Sequence, residues 1–72
     1  MEGFTIRVYS DDHPPAHVHV FHGGQEIRVY LRGDRPFDRL SGRMSASDVR
    51  RALRLVDTHR DQLLTFWKGY HG

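Results

Sequence analysis

His17-Val18-His19-Val20-Phe21-His22-Gly23-Gly24-Gln25-Glu26-Ile27-Arg28-Val29-Tyr30-Leu31-Arg32 decides the fold of this chain. Two runs of strand-forming residues, 17–22 and 25–32, flank a Gly-Gly pair. Both glycines tolerate positive φ, which the tight turns of two-residue hairpins require. The turn sets a register. His22 faces Gln25, Val20 faces Ile27, Val18 faces Val29, His19 faces Arg28 and His17 faces Tyr30. Side chains alternate across a strand, so Val18, Val20, Ile27, Val29 and Leu31 share one face. His17, His19, Phe21, Arg28, Tyr30 and Arg32 share the other. The apolar face is predicted to meet the core, and the basic, aromatic face to meet solvent.

Upstream, Phe4, Ile6 and Val8 alternate with Thr5, Arg7 and Tyr9, the period of a half-buried strand. Arg7 and Tyr9 extend the polar face. Ser10 to Ala16 reads as a stiff loop, because Pro14 and Pro15 have fixed φ and no amide donor. Downstream, Gly33-Asp34-Arg35-Pro36 reads as a turn and Phe37–Leu40 as a short edge strand that ends at Ser41-Gly42. Ser45-Ala46-Ser47-Asp48 resembles a capping box. One helix is expected to run from there to about Lys68, with Gly69 as its stop. At about 100° per residue, Val49, Ala52, Val56, Leu63, Trp67 and Tyr70 gather on one stripe, flanked by Leu53, Leu55 and Phe66, with His59 within it. The expected class is α+β: a three- to four-stranded antiparallel sheet with one long C-terminal helix packed on one face, residues 1–72 forming a single domain.

Composition narrows the function classes. The chain has 72 residues, no cysteine and a formal charge of +2 with neutral histidines. Disulfides and cysteine-based structural zinc sites are excluded. No apolar run approaches the roughly 20 residues of a membrane span, and the start of the chain carries no signal-peptide pattern. The expectation is a cytoplasmic protein with no membrane partner. A core this small makes a homodimer a reasonable way to cover surface.

The chemistry concentrates in residues 11–22, which hold four of the six histidines and two of the three prolines. His17 and His19, two apart on a strand, project from one face. Asp12 and His13 in the preceding loop could fold back to complete a site. Asp12, His13, His17 and His19 are therefore candidate metal ligands, suited to zinc or another divalent transition metal. The competing reading is that Asp12 and His13 fix the Pro-Pro loop while His17 and His19 pair with Tyr30 and Arg28. An acid/base variant, with Asp11 or Asp12 orienting His13 or His17 for proton transfer, lacks a nucleophile or a glycine-rich phosphate loop beside it. Whether the chain is an enzyme stays open. The same face also suits a partner. Tyr9, Tyr30 and Phe21 could stack on bases while Arg7, Arg28, Arg32 and the histidines meet phosphates. On the helix, Arg50, Arg51 and Arg54 lie opposite the apolar stripe, in the half where the dipole disfavours cations. A solvated face with Asp57 and Asp61 as neighbours explains them. His59 is expected to pack, bonding a sheet carbonyl or meeting His22, and Phe66 and Trp67 to join the core.

Asp12-His13-Pro14-Pro15-Ala16-His17-Val18-His19 resembles the Asp-His-x-Pro-Pro-His-x-His type of signature of the bacterial family called domain of unknown function 4160. Thr58-His59-Arg60-Asp61-Gln62-Leu63-Leu64-Thr65-Phe66-Trp67 is similar to that family's closing His-Arg-x-x-Leu-x-x-x-Trp pattern. The glycines at Gly23-Gly24 and Gly42 also fall where the family has them. Two departures stand out: Met44 where the family often has proline, and Leu55 where it often has an aromatic. The resemblance implies a small intracellular prokaryotic protein, often partnered with another small protein in toxin–antitoxin-like or regulatory pairs. It implies no catalytic residue and no cofactor. The expected function is accordingly a non-enzymatic interaction or regulatory module that binds a protein or nucleic acid through Arg7, Tyr9, His13, His17, His19, Arg28 and Tyr30. The alternative is a metal-binding protein, extending to a metal-dependent hydrolase or nuclease, built on Asp12, His13, His17 and His19.

Overall fold

The computed structural model describes residues 3–71. Its sheet has four antiparallel strands in sequence order, β1 (Thr5–Arg7), β2 (His17–His22), β3 (Gln25–Tyr30) and β4 (Phe37–Ser41). Two helices follow, α1 (Ala46–Thr58) and α2 (Arg60–His71). The architecture is α+β, and no helix among the described residues is long and apolar enough to cross a membrane.

The central hairpin has the register its turn dictates. His17 pairs with Tyr30, Val18 with Val29, His19 with Arg28, Val20 with Ile27 and His22 with Gln25. Gly23 and Gly24 take φ of 56° and 77°, as a two-residue turn with both central residues left-handed demands. On the apolar face, Val18, Val20, Ile27 and Val29 form one core with Val49, Ala52, Leu55 and Val56 of α1. Each such buried aliphatic side chain contributes roughly 1.5–3 kcal/mol.

At the far edge, β4 extends through Ser41 and shifts register against Glu26 and Ile27. Gly42 follows at φ +71°, where an added Cβ would lie 2.9 Å from Gln25 Cγ. Gln25 has little room to yield, because its Nε2 donates to the Arg43 carbonyl at 2.8 Å. Gly42→Ala is therefore expected to destabilise the protein by about 1–2 kcal/mol through the left-handed backbone penalty alone, with the contact adding to it. A urea titration checks this, and an unchanged midpoint would contradict it.

The helix begins as its cap requires. The Ser45 hydroxyl accepts the Asp48 N–H at 3.1 Å. The Asp48 carboxylate turns instead to Arg51 at 3.2 Å and to His22 at 3.5 Å. Met44, ahead of the cap, is buried, and its carbonyl accepts a bond from Arg39 at 2.7 Å.

The expected single helix is corrected to two. His59 has φ −109° and ψ 18°, outside the helical range, and separates the two helices. Arg60 explains the position of the break. Its Nη1 reaches across to the end of β3 and donates to the Leu31 carbonyl at 2.7 Å and to Tyr30 at 3.3 Å. That anchor ties the start of α2 to the sheet. The helix then passes Gly69 without stopping and ends at His71.

The stripe survives the break only in part. Leu63 and Trp67 remain buried, but Phe66 is 62% exposed and Tyr70 56%. The core roles expected for Phe66 and Tyr70 are corrected accordingly. His59 meets neither His22 nor a sheet carbonyl through its ring. Its Nδ1 lies 3.1 Å from the Gln62 side chain. Of the three helix arginines, Arg51 pairs with Asp48 rather than with Asp57 or Asp61, and Asp57 pairs with Arg60.

Candidate functional site

The sheet face opposite the valines is not open to solvent at its histidines. His17 is 4% exposed and His19 9%. This corrects the expectation that their rings point freely into water. Two elements cover them. The first is the loop after β1, where the Asp12 N–H donates to the Tyr9 carbonyl at 3.3 Å. That turn brings the Asp12 carboxylate back over the strand. Tyr9 itself meets the His19 ring edge-on, 4.7 Å between centroids. The second is α2, whose Trp67 ring lies 5.0 Å from that of His17. His71 stacks on Trp67 in turn at 3.6 Å.

Hydrogen bonding orients both imidazoles. His17 Nδ1 lies 2.9 Å from the Pro15 carbonyl. A carbonyl only accepts, so Nδ1 carries the proton and donates. The Pro-Pro segment, with its cis Pro14–Pro15 peptide, is thus tied down by His17 rather than by Asp12 and His13. His19 Nδ1 donates to Glu26 Oε2 at 2.8 Å. With each Nδ1 committed, each Nε2 lies near the same carboxylate oxygen, and that of His19 is hydrogen-bonded to it. Asp12 Oδ2 is 3.3 Å from His17 Nε2 and 3.1 Å from His19 Nε2.

Asp12, His17 and His19 each offer a ligand atom, and these atoms lie within 4.8 Å of one another. His13 is exposed and outside this group, though it stands on the rim of the adjoining cleft. The cleft has a volume of about 300 Å³ and is lined by His13, Pro14, His17, His19, Arg28 and Tyr30 among others. Arg28 and Tyr30 are half-buried, whereas Arg7 and Tyr9 are exposed. Arg7 places its guanidinium 5.8 Å from the Phe21 ring centroid. The seven candidate contact residues therefore do not form one open surface: Arg7 and Tyr9 are exposed outside the cleft lining, His13 is exposed on its rim, and the other four line it.

Tyr30 braces the far wall by donating its hydroxyl to Asp38. That bond is the largest cause holding the Asp38 carboxyl below the usual carboxylate range. Desolvation opposes it, and the guanidinium groups of Arg35 and Arg28 add to the lowering. A depressed carboxyl stabilises the fold above its unfolded pKa, near 4, and that contribution disappears as pH falls through the folded value. Tyr30→Phe is expected to move the Asp38 titration up toward the ordinary range. Side-chain carboxyl NMR across acid pH measures it, and an unmoved titration would show that the arginines alone suffice.

Two residues of this site escaped sequence reasoning, Glu26 and Trp67. Glu26 was within reach of it. It has the same strand parity as Arg28 and Tyr30, and it lies diagonal to His19 in the register. Trp67 was legible as a core residue, but its contact with His17 was not, because the register assigns the histidines to the face opposite the core.

No curated protein and no solved structure matches the chain. One family model does, that described as Domain of unknown function (DUF4160), over residues 3–68. The match includes the Asp12–His19 segment and the α2 segment through Trp67, and the chain belongs to the DUF4160 family.

Proposed function

We propose that Asp12, His17 and His19 form a divalent-metal centre, the metal-binding alternative of the sequence reading. The observation that carries this is the convergence of two oriented Nε2 atoms on one carboxylate oxygen. An ion held about 2.0–2.2 Å from each ligand separates ligand atoms by roughly 3.0–3.4 Å along the edges of its coordination polyhedron. The two Asp12 edges measure 3.1 and 3.3 Å. A cation between them would take the lone pair of each Nε2, and uptake would displace any proton held there.

The surroundings support the same reading. Metal-binding histidines commonly donate their other ring nitrogen to a carbonyl or carboxylate, which fixes the tautomer and orientation. His17 does so to Pro15 and His19 to Glu26. Two imidazoles and one carboxylate suit zinc or iron(II), and such a set leaves coordination positions free. Here those positions would open on the cleft, where a metal-bound water could serve hydrolytic chemistry.

The test is metal uptake by purified protein, read by elemental analysis and by the fluorescence of Trp67, the chain's one tryptophan. Stoichiometric zinc is expected after dialysis. Cobalt(II) or copper(II) should quench Trp67, given its 5.0 Å approach to His17. Uptake no greater than that of a His17→Asn/His19→Asn double variant would sink the proposal.

A contact module of the toxin–antitoxin-like kind is the second reading, favoured by the exposure of Arg7, Tyr9 and His13. It predicts a salt-dependent mobility shift with RNA or DNA, or capture of a small protein partner, that is lost in Arg7→Ala and indifferent to chelator.

A further inference from the structure

We propose that the cleft beside this centre takes a small oxyanion, a phosphate or carboxylate group, with Arg28 as its counter-cation; the inference rests on the metal reading. Arg28 sits opposite His19 in the β2–β3 register and lines the same cleft. Its Nε is buried and has no hydrogen-bond partner among the described residues. A buried guanidinium N–H without an acceptor is costly and uncommon.

The carboxylates around Arg28 make their hydrogen bonds to other groups. Asp38, its register partner on β4, takes the Tyr30 hydroxyl and Arg35 and feels the Arg28 charge only through space. Glu26 takes His19 Nδ1. Asp12 takes both Nε2 atoms. The guanidinium is left charged beside the cleft without an ion pair among the described residues.

Metal then strengthens anion binding. Asp11, Asp12 and Glu26 stand near the histidines and disfavour an anion. A divalent ion bound to Asp12 would offer the anion a ligand position that the metal-free cleft lacks. An oxyanion can then place one oxygen on a free metal position and another on the guanidinium, which presents paired donors suited to carboxylate and phosphate. The cleft volume of about 300 Å³ fits a small ligand rather than a polymer segment.

The probes are inorganic phosphate and acetate, each titrated into metal-free, zinc-loaded and cobalt-loaded protein. Phosphorus or carbon relaxation by cobalt(II) reports binding at the centre, and the ¹H–¹⁵N signal of Arg28 Nε reports it at the guanidinium. The expected result is binding of at least one probe to loaded protein, at least tenfold weaker without metal and at least tenfold weaker in Arg28→Met. Arg28→Lys should retain part of the affinity. Preference for phosphate or for acetate identifies the group. Zinc stoichiometry is measured first on the same samples. Stoichiometric zinc with no response to either probe, or with equal binding in Arg28→Met, overturns the oxyanion site and leaves the metal centre standing. Failure to take up zinc removes both.

Discussion

His19→Asn is expected to weaken zinc binding by at least about 100-fold while leaving the fold intact. The substitution is chosen for geometry. An asparagine amide nitrogen occupies nearly the position of Nδ1, so the bond to Glu26 can persist while the Nε2 ligand is gone. The same logic applies to His17→Asn, whose amide can still donate to the Pro15 carbonyl. Alanine at either position confounds the result, because it strands a buried acceptor at a cost of about 1–3 kcal/mol. Glu26→Gln offers a graded control. It keeps a hydrogen-bond acceptor for His19 but removes the charge that makes the imidazole a better donor. Loss of such an outer partner typically costs 10–100-fold in metal affinity. The expected order is therefore wild type, then Glu26→Gln, then His19→Asn. His13→Ala belongs near wild type, since His13 lies outside the converging group. Competition with a chromophoric chelator measures the series. Equal affinity for wild type and His19→Asn would mean that zinc binds elsewhere, and the convergence on Asp12 would then be an ordinary buried ion pair.

How far this site could be read without coordinates depends on the range of the interaction. The hairpin register was legible because Gly23-Gly24 leaves few alternatives, and once it is set every parity in β2 and β3 follows. The pairing of His17 and His19 on one face came with it, and so did the valine core. Asp12 was legible as a candidate through its place in the loop, but its distance to the rings was not. That distance depends on the Tyr9–Asp12 turn, a single backbone bond with no distinctive residue to announce it. Glu26 was passed over because an isolated charge on a strand is normally solvated, although parity already placed it on the histidine face. The break at His59 left no mark in the hydrophobic pattern. Neither proline nor glycine sits there, and the cause is a contact from Arg60 to β3, about thirty residues away in sequence. The stripe keeps its phase across the break at Leu63 and Trp67, which stay buried, and fails only for Phe66 on its flank and Tyr70 near its end.

The exposure of Phe66 and Tyr70 separates three aromatics that periodicity gathers on or beside one stripe. In the folded chain only Trp67 of these three is buried. Trp67→Ala is expected to cost about 3–5 kcal/mol, the usual range for deleting a buried large aromatic. A protein of this length has a total stability of roughly 4–11 kcal/mol, so the variant should lie close to the folding threshold. The loss corresponds to a fall in Tm of about 15–30 °C. Phe66→Ala and Tyr70→Ala should each stay within about 0.5 kcal/mol of wild type, as exposed positions normally do. Trp67→Phe keeps a ring against His17 and should recover much of the loss. The same variants bear on the metal centre, because Trp67 packs on the ring whose Nε2 faces Asp12. Zinc binds the folded state, so it should raise the Tm of Trp67→Phe, by an amount that grows with zinc concentration. A Trp67→Ala variant as stable as Phe66→Ala would mean that α2 does not rest on the sheet through this residue.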